Sequence, residues 1–364
     1  MSLQGADGFK ALLGKLVNTP EFFTPVDLSR ALNNVFTADA VPPAQFGSFL
    51  TALHLSRLDR RPEMLAAAAQ VLRDRALQAD IEDWDKDFVV DIVGTGGDGH
   101  NTFNVSTTAA VVAAGAGARV CKHGSRASTS TSGAADLLQS LGCLFTPPTA
   151  DTPMHIRRIP FTFILAPHYH PSLALIAPFR KSLPFRTMFN ILGPLINPAR
   201  PRGMVVGVAE RDLGETFAKS IRDGGVQRAL VVCGAEHLDE ISCAGETWAW
   251  ELKDGQITER TLHPDQFGLP VHPLKDVAGD TPEENAAVFK TLLTSGDKIP
   301  EALTPVLHFV LLNSSAVLYV AGIVKDFKEG VDLALKSITS GLAWEALSTF
   351  KEEGRRAADA ARTP

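Results

Sequence analysis

The stretch from Phe88 to Thr107, FVVDIVGTGGDGHNTFNVST, constrains this chain more than any other. FVVDIV has the unbroken apolar character of a strand buried on both faces, GTGGD supplies a tight turn, and an Ala/Val-rich helical pattern begins near Ser106. Strand, glycine loop, helix is an α/β unit, so the rest of the chain must supply more strands and the helices that cover them. Further strands are expected at Arg119–Lys122, Phe161–Leu165, Gly203–Ala209 and Arg228–Gly234, with helices between them. Asp212 and Glu215 are spaced to open one such helix as a capping box. TWAWELKDGQITERTL alternates about Asp254-Gly255 and reads as a hairpin, a sheet-edge feature.

The first 80 residues have a different grammar. Thr24, Pro25 and Asp27 form a capped helix start, and Phe46, Phe49, Leu50 and Leu53 recur at helical spacing. Between His170 and Ala199 lie two helix-like segments, and periodicity leaves open whether they return to this helical part or stay with the α/β part. The expected fold is therefore α/β: a small all-helical domain packed on a larger α/β domain with a central, largely parallel sheet. The helical domain is assigned to 1–83, with helices from about 171–199 as its candidate completion, and the α/β domain to 84–170 and 200–364. A length of 364 residues accommodates two such domains. The polar tail from Gly354 is expected to fray.

Composition excludes several classes. The net charge is −6 and no run of five Lys/Arg occurs, so neither nucleic acid nor an anionic membrane is an expected partner. Cys121, Cys143, Cys233 and Cys243 show no CxxC or zinc-ligand spacing, which fits a reduced, cytoplasmic compartment. The opening residues carry no secretory pattern, and the apolar segment Val306–Val324, interrupted by His308, Asn313, Ser314 and Ser315, reads as a buried core helix.

Five segments carry chemistry. GTGGD and the polar helix start at Asn104, Ser106 and Thr107 suit a phosphate or pyrophosphate, because glycines let backbone N–H groups converge at a helix N-terminus. The segment matches neither a Walker A loop nor GxGxxG. KHGSRASTSTSGAAD, from Lys122 to Asp136, places a basic pair among hydroxyls, which suits a phosphorylated sugar; a Ser/Thr linker is the plain alternative. LAPHYHPSL puts Pro167, His168, Tyr169 and His170 after a strand, either bordering a pocket or as structural histidines. Arg186, on an expected helical segment, is either an exposed charge or a carboxylate clamp. Asp239-Glu240 is either a solvated turn or a Mg²⁺ site completed by substrate phosphates.

In this order, the five segments resemble the anthranilate phosphoribosyltransferase family, whose pattern runs GTGGD, TFN-[IV]-ST, KHGNR, a serine-rich stretch, AP-x-x-HP, RT-x-FN-x-LGPL-x-NP and LDE. The match runs from about Phe88 to Ser242 and continues loosely through PDQFGL, EENA and LYVAG. The resemblance implies that phosphoribosyl pyrophosphate (PRPP) is bound by Gly94, Gly97, Asp98, Thr102, Asn104, Ser106, Thr107, Lys122, His123, Gly124 and the hydroxyl-rich stretch to Ser130. It implies anthranilate contacts from Gly94, Ser125, Pro167, Tyr169, His170 and Arg186, and Mg²⁺, as two ions, held by Ser106, Asp239 and Glu240. The implied reaction joins anthranilate to the ribosyl carbon of PRPP in tryptophan biosynthesis, in a homodimer, with no obligatory base and His123 as a minor proton acceptor.

Ser125 stands where the family has Asn, Ala134 where it has Ser, LPF precedes Arg186 in place of LG-x, and Leu165 replaces a common Phe. These departures bear on aromatic-substrate affinity. Two other readings compete: a pyrimidine-nucleoside phosphorylase, whose family looks structurally related, and a non-catalytic nucleic-acid-binding relative, which the −6 charge and the Asp239-Glu240 pair oppose.

Overall fold

The computed structural model describes residues 5–127, 130–149 and 153–360. In chain order the elements are α1 (Gly5–Asn18), α2 (Pro25–Val35), α3 (Pro43–Leu55), α4 (Pro62–Asp74), β1 (Ala79–Ile81), β2 (Val89–Gly94), α5 (Val105–Gly115), β3 (Arg119–Gly124), α6 (Ala134–Ser140), β4 (Met154–Ile156) and β5 (Phe161–Leu165). They continue with α7 (Ala166–Tyr169), α8 (Ser172–Ser182), β6 (Gly203–Gly207), α9 (Gly214–Asp223), β7 (Arg228–Gly234), β8 (Thr247–Lys253), β9 (Gln256–Leu262), α10 (Pro282–Thr294), α11 (Thr304–Ala321), α12 (Phe327–Thr339) and α13 (Leu342–Ala360).

The central sheet runs β5-β3-β2-β6-β7-β8-β9. Its first five strands are mutually parallel, and the β8–β9 hairpin adds an antiparallel edge. Strand pleating divides the core in two, because alternate residues face opposite sides. Ile92, Val120, Val205 and Leu230 pack on one face with α5, α11, α12 and α13. Val93, Met204, Val206 and Val231 pack on the other with α1–α4, α9, and Ile176, Met188, Phe189, Leu192 and Leu195 from the middle of the chain. The amino-terminal helices thus need the sheet and the mid-chain segment to bury their apolar stripe. Phe46, Phe49, Leu50 and Leu53 form the buried face of α3, and the Thr24–Asp27 capping box opens α2.

Among the described residues one helix, Glu301–Ala321, is long and apolar enough to cross a membrane, but 67% of its most apolar window is buried inside the protein. It is the core helix that covers β2, β6 and β7.

Three local expectations are corrected. Asp212 and Glu215 make no capping box: a 3-10 turn at Arg211–Leu213 takes up the chain first, and α9 starts at Gly214 without a side-chain cap. Gly214 has no room for a Cβ against the Trp250 ring, so packing rather than capping fixes that start. The tail does not fray at Gly354: α13 continues to Ala360, with Gly354 lying so close to the Leu144 backbone that a Cβ would sit 2.6 Å from its carbonyl oxygen. Arg186 lies in irregular chain just before a 3-10 turn (Met188–Asn190), because Pro184 ends the preceding helical pattern.

Candidate active site

The sheet order reverses around β2, which pairs with β3 on one side and β6 on the other. Crevices form at such reversals beyond the carboxyl ends of parallel strands. Here β2 and β6 both end in glycine, and Gly94 pairs with Gly207. Beyond β7 the chain turns tightly, with Gly234 N–H donating to Leu238 O (2.8 Å) and His237 at φ +69°, and returns Asp239 across those strand ends. A Cβ at Gly94 would collide with the Asp239 carboxylate, and one at Gly207 with the Asp239 backbone carbonyl. The two glycines are what let the acidic loop lie on the sheet.

The loop is fixed from both sides. Gly96 N–H donates to Asp239 Oδ2 (2.6 Å), and Asp239 N–H points to Asp98 Oδ2 (3.5 Å). Behind it, Asn313 of α11 accepts from Ile241 N–H (3.1 Å) and donates to Ile241 O (3.2 Å). Burial, then the neighbouring Asp98, pushes the Asp239 carboxyl up to about 7. Burial and Asp239 push Glu240 well above the usual carboxylate range, although Lys122 and a hydrogen bond from Ser106 act in the opposite direction. Clustered carboxylates that resist ionising are poised for a divalent cation.

The opposite wall is built where the sheet splits. The β2–β3 register holds only at Val89–Arg119 and Val90–Val120. Past that point side chains satisfy the backbone groups left over. Lys122 Nζ donates to Ile92 O (2.5 Å) and reaches Ser106 Oγ (3.3 Å). His123 N–H donates to Asp91 Oδ1 (3.3 Å), while Asn197 Nδ2 donates to both Asp91 Oδ2 (2.8 Å) and Cys121 O (2.9 Å). Asp91 is fully buried and is pushed up to about 6 by that burial, against the pull of Lys122 and its hydrogen bonds. Burial pushes the Lys122 ammonium down, while Asp91, Glu240 and Asp239 hold it up. Lys122 spends two N–H groups on protein partners and has a third for a ligand.

The glycine loop is left-handed at Gly96, Gly97 and Gly99, with φ of +72°, +74° and +81°. Arg186 Nη2 donates to Gly96 O (2.7 Å) and Nη1 to Gly97 O (3.0 Å). Because the carbonyl and N–H of a trans peptide point opposite ways, this turns the Gly97 and Asp98 amides away from Arg186. A Cβ at Gly97 would stand 2.5 Å from the guanidinium carbon.

Not every expected residue is free for a ligand. Thr102 is held in a bridge to Ala278, and Asn104 is tied to Ser132 and Asn285. Thr107 is buried in the core face of α5. Gly124 ends β3, with Phe163 and Ala134 beside it. Ser125 and Pro167 are exposed, and Ser130 Oγ reaches Ser132 O at 3.4 Å. Arg126 does not pair with Lys122 in one basic site: it is exposed and bridges Asp136 (3.2 Å). Ser128 and Thr129 lie outside the described residues.

Tyr169 is directed away from the strand-end crevice. Its ring packs with Ile81, Val89, Cys121 and Ile156, and its hydroxyl reaches Met154 Sδ (3.3 Å). His123 and His170 stack edge to face at 5.3 Å, both buried. Burial and His170 push His123 down to about 3, and burial pushes His170 down to about 4. His123 Nδ1 donates to Gly193 O (3.2 Å), which leaves Nε2 without a partner. A ring this reluctant to accept a proton is a poor base, contrary to the proton-accepting role expected of it.

Sequence reasoning missed Asp91, Asn197, Asn313 and Gly207. Only the carboxylate inside FVVDIV was a visible signal, since a charge in a strand buried on both faces demands a partner.

Residues 86–344 match the model for the glycosyl transferase family, a/b domain, and residues 10–76 the model for its helical bundle domain. An anthranilate phosphoribosyltransferase from Schizosaccharomyces pombe is 46% identical over 322 residues, 88% of this chain and 90% of its own. The chain belongs to the anthranilate phosphoribosyltransferase family. Among solved structures, the Saccharomyces cerevisiae anthranilate phosphoribosyltransferase in complex with PRPP and Mg superposes with a TM-score of 0.86 at 33% identity, covering 96% of this chain and 98% of that one. The same yeast enzyme in complex with 4-fluoroanthranilate gives 0.84 at 30% identity, with the same coverage. The family's two models meet across the linker that carries β1, and its α/β model contains the glycine loop, Lys122 and the acidic pair.

Proposed function

We infer that this chain transfers the phosphoribosyl group of PRPP to the amino nitrogen of anthranilate, giving N-(5-phosphoribosyl)anthranilate and pyrophosphate, a step of tryptophan biosynthesis. One observation carries the reading: the Gly94–Gly97 loop, Lys122 and the Asp239-Glu240 pair, far apart in sequence, converge at the carboxyl ends of β2, β3, β6 and β7.

The reaction breaks the C1–O bond to pyrophosphate and forms a C1–N bond. Charge builds on the departing oxygens while C1 becomes cationic, so the site's task is to receive negative charge. The Gly97 and Asp98 amides and the third N–H of Lys122 are donors for the phosphates, and the Ser106 hydroxyl stands beside Lys122 Nζ at 3.3 Å. Ser106, Asp239 and Glu240 fit Mg²⁺, as two ions: the two carboxyls are held above their ordinary range by burial and by neighbouring carboxylates, Asp98 for Asp239 and Asp239 for Glu240. Among the described residues no group of three or more His, Cys, Asp or Glu side chains converges as a closed metal site, and a Mg²⁺ held here would take its further ligands from substrate oxygens. Bound there, Mg²⁺ supplies charge neutralisation of the pyrophosphate.

The aniline nitrogen is neutral near pH 7 and needs orientation rather than a base. Arg186, in the mid-chain segment, spends two N–H groups on the glycine loop, and its remaining N–H groups can take the anthranilate carboxylate. The helical domain, completed by residues 171–199, closes the crevice against water. A homodimer in the cytoplasm is the expected state: Val17, Phe22, Val26 and Leu55 leave large apolar side chains exposed on the helical domain, and all four cysteines are free.

Mass spectrometry of a reaction with both substrates and Mg²⁺ tests the assignment. Stoichiometric phosphoribosylanthranilate and pyrophosphate are expected; their absence from a folded, metal-loaded protein overturns it.

A further inference from the structure

A second cavity, about 280 Å³, opens at the other end of the sheet. Its walls come from the last turn of α4, from Leu195 to Met204 leading into β6, and from the end of α9 with the approach to β7. It therefore lies at the amino ends of the parallel strands, and two of the chain's crossings between the helical bundle and the sheet run past it.

Three guanidinium groups line this cavity, those of Arg73, Arg200 and Arg202, and no carboxylate does. Each comes from a different local setting. Arg73 donates to Leu195 O (2.6 Å) and Gln70 Oε1 (2.7 Å). Arg202 lies 4.4 Å over the Trp84 ring and donates to Asp85 O (3.2 Å), and its buried Nε has no partner. Arg200 is held at φ +48°, and its carbonyl accepts from Trp84 Nε1 (3.1 Å). Among the described residues none of the three makes an ion pair within 4.0 Å, although Asp74 attracts Arg73 from the adjoining turn. Burial, then Arg200, push the Arg73 guanidinium down, against the pull of Asp74. Three guanidinium groups around one void that no carboxylate lines offer a planar, multidentate seat for an oxyanion.

We propose that this cavity is a binding site for a phosphate-class oxyanion, held between Arg73 of the helical bundle and Arg200 and Arg202 of the return link. Two sources share this chemistry: orthophosphate from solution, and the pyrophosphate that the reaction releases. The site stands at the opposite end of the strands from the catalytic crevice, so its failure would leave the transferase reading untouched.

Isothermal titration without divalent cations tests it, using orthophosphate and pyrophosphate in separate arms. Because the catalytic crevice binds the same anions, the titration is run in a Lys122→Ala background, with Arg200→Gln and Arg73→Gln added singly. About one equivalent should still bind in Lys122→Ala, weakened at least tenfold by either arginine substitution, with a parallel loss of the anion-induced rise in Tm. The tighter of the two anions names the source. Arg200 is exposed, so Arg200→Gln should fold and turn over as the parent does. If Lys122→Ala abolishes all binding, or if the residual equivalent ignores both arginine substitutions, the proposal fails.

Discussion

Gly207→Ala isolates the close approach on which the acidic loop depends. Gly207 ends β6, pairs with Gly94, and its carbonyl accepts from Thr95 N–H (2.9 Å). Its φ is not positive, so alanine brings no backbone strain and the whole effect comes from one methyl group. That methyl would overlap the Asp239 carbonyl oxygen and stand 3.1 Å from Asp239 Cα. Carbon contacts relax at about 3.5–4.0 Å, so the loop must retreat by roughly 1–2 Å. Overpacking of this kind costs about 1–3 kcal/mol, which lowers Tm by roughly 2–10 °C for a domain of this size. A displacement of about 1 Å at a catalytic group is worth roughly 100-fold in rate. The assay is anthranilate fluorescence at varied PRPP and Mg²⁺: kcat/KM should fall by about two orders of magnitude and the Mg²⁺ requirement should rise. Gly47→Ala is the control, because Gly47 sits in α3 with nothing within 4 Å of its added Cβ, and it should leave activity intact. A Gly207→Ala enzyme with kcat/KM and Mg²⁺ dependence within twofold of the parent would refute the reasoning.

Three other outcomes are expected. Arg186→Ala should raise KM for anthranilate and, because Arg186 also holds two carbonyls of the glycine loop, raise KM for PRPP to a smaller degree; an unchanged anthranilate KM would contradict both roles. Asp239 binds its proton more tightly folded, at about 7, than unfolded, at 3.8. The unfolded state therefore holds fewer protons between those values, so the metal-free protein should lose stability as pH rises from about 4 through 7 and level off above. Asp91, pushed up to about 6, acts in the same direction, so comparing Tm against pH for the parent and Asp239→Asn isolates the acidic loop: the variant should show a shallower fall, and an identical slope would sink the assignment. Asn197→Ala removes the donor to Asp91 Oδ2 and Cys121 O and should cost about 2–4 kcal/mol in denaturant unfolding; a loss below half a kcal/mol would show that water replaces it.

What the sequence made legible follows from locality. The glycine loop, Lys122 and Asp239-Glu240 each declare their chemistry within a few residues, so they could be picked out without knowing what they face. Asp91 and Asn197 could not, because their bond spans 106 positions and each alone looks like strand or loop. Asn313 interrupts an apolar helix, and nothing local shows that it grips the backbone beside Glu240. The strands and the hairpin were readable from runs and alternation, but not the split between β2 and β3 that creates the need for Lys122, Asp91 and Asn197. Tyr169 shows the converse: the sequence offered it as a pocket residue, while its ring turns into a separate cluster. Arg186 was visible as a residue but not as a brace, since its two carbonyl partners lie 89 and 90 positions earlier.

The central claim is that one crevice at the strand ends brings PRPP, divalent cation and anthranilate together. Continuous anthranilate fluorescence in the presence of excess PRPP and Mg²⁺ tests it most directly. The account predicts decay to near zero that halts when a chelator is added and resumes when Mg²⁺ is restored. A flat trace under full substrate and metal, or a decay indifferent to the chelator, would contradict it.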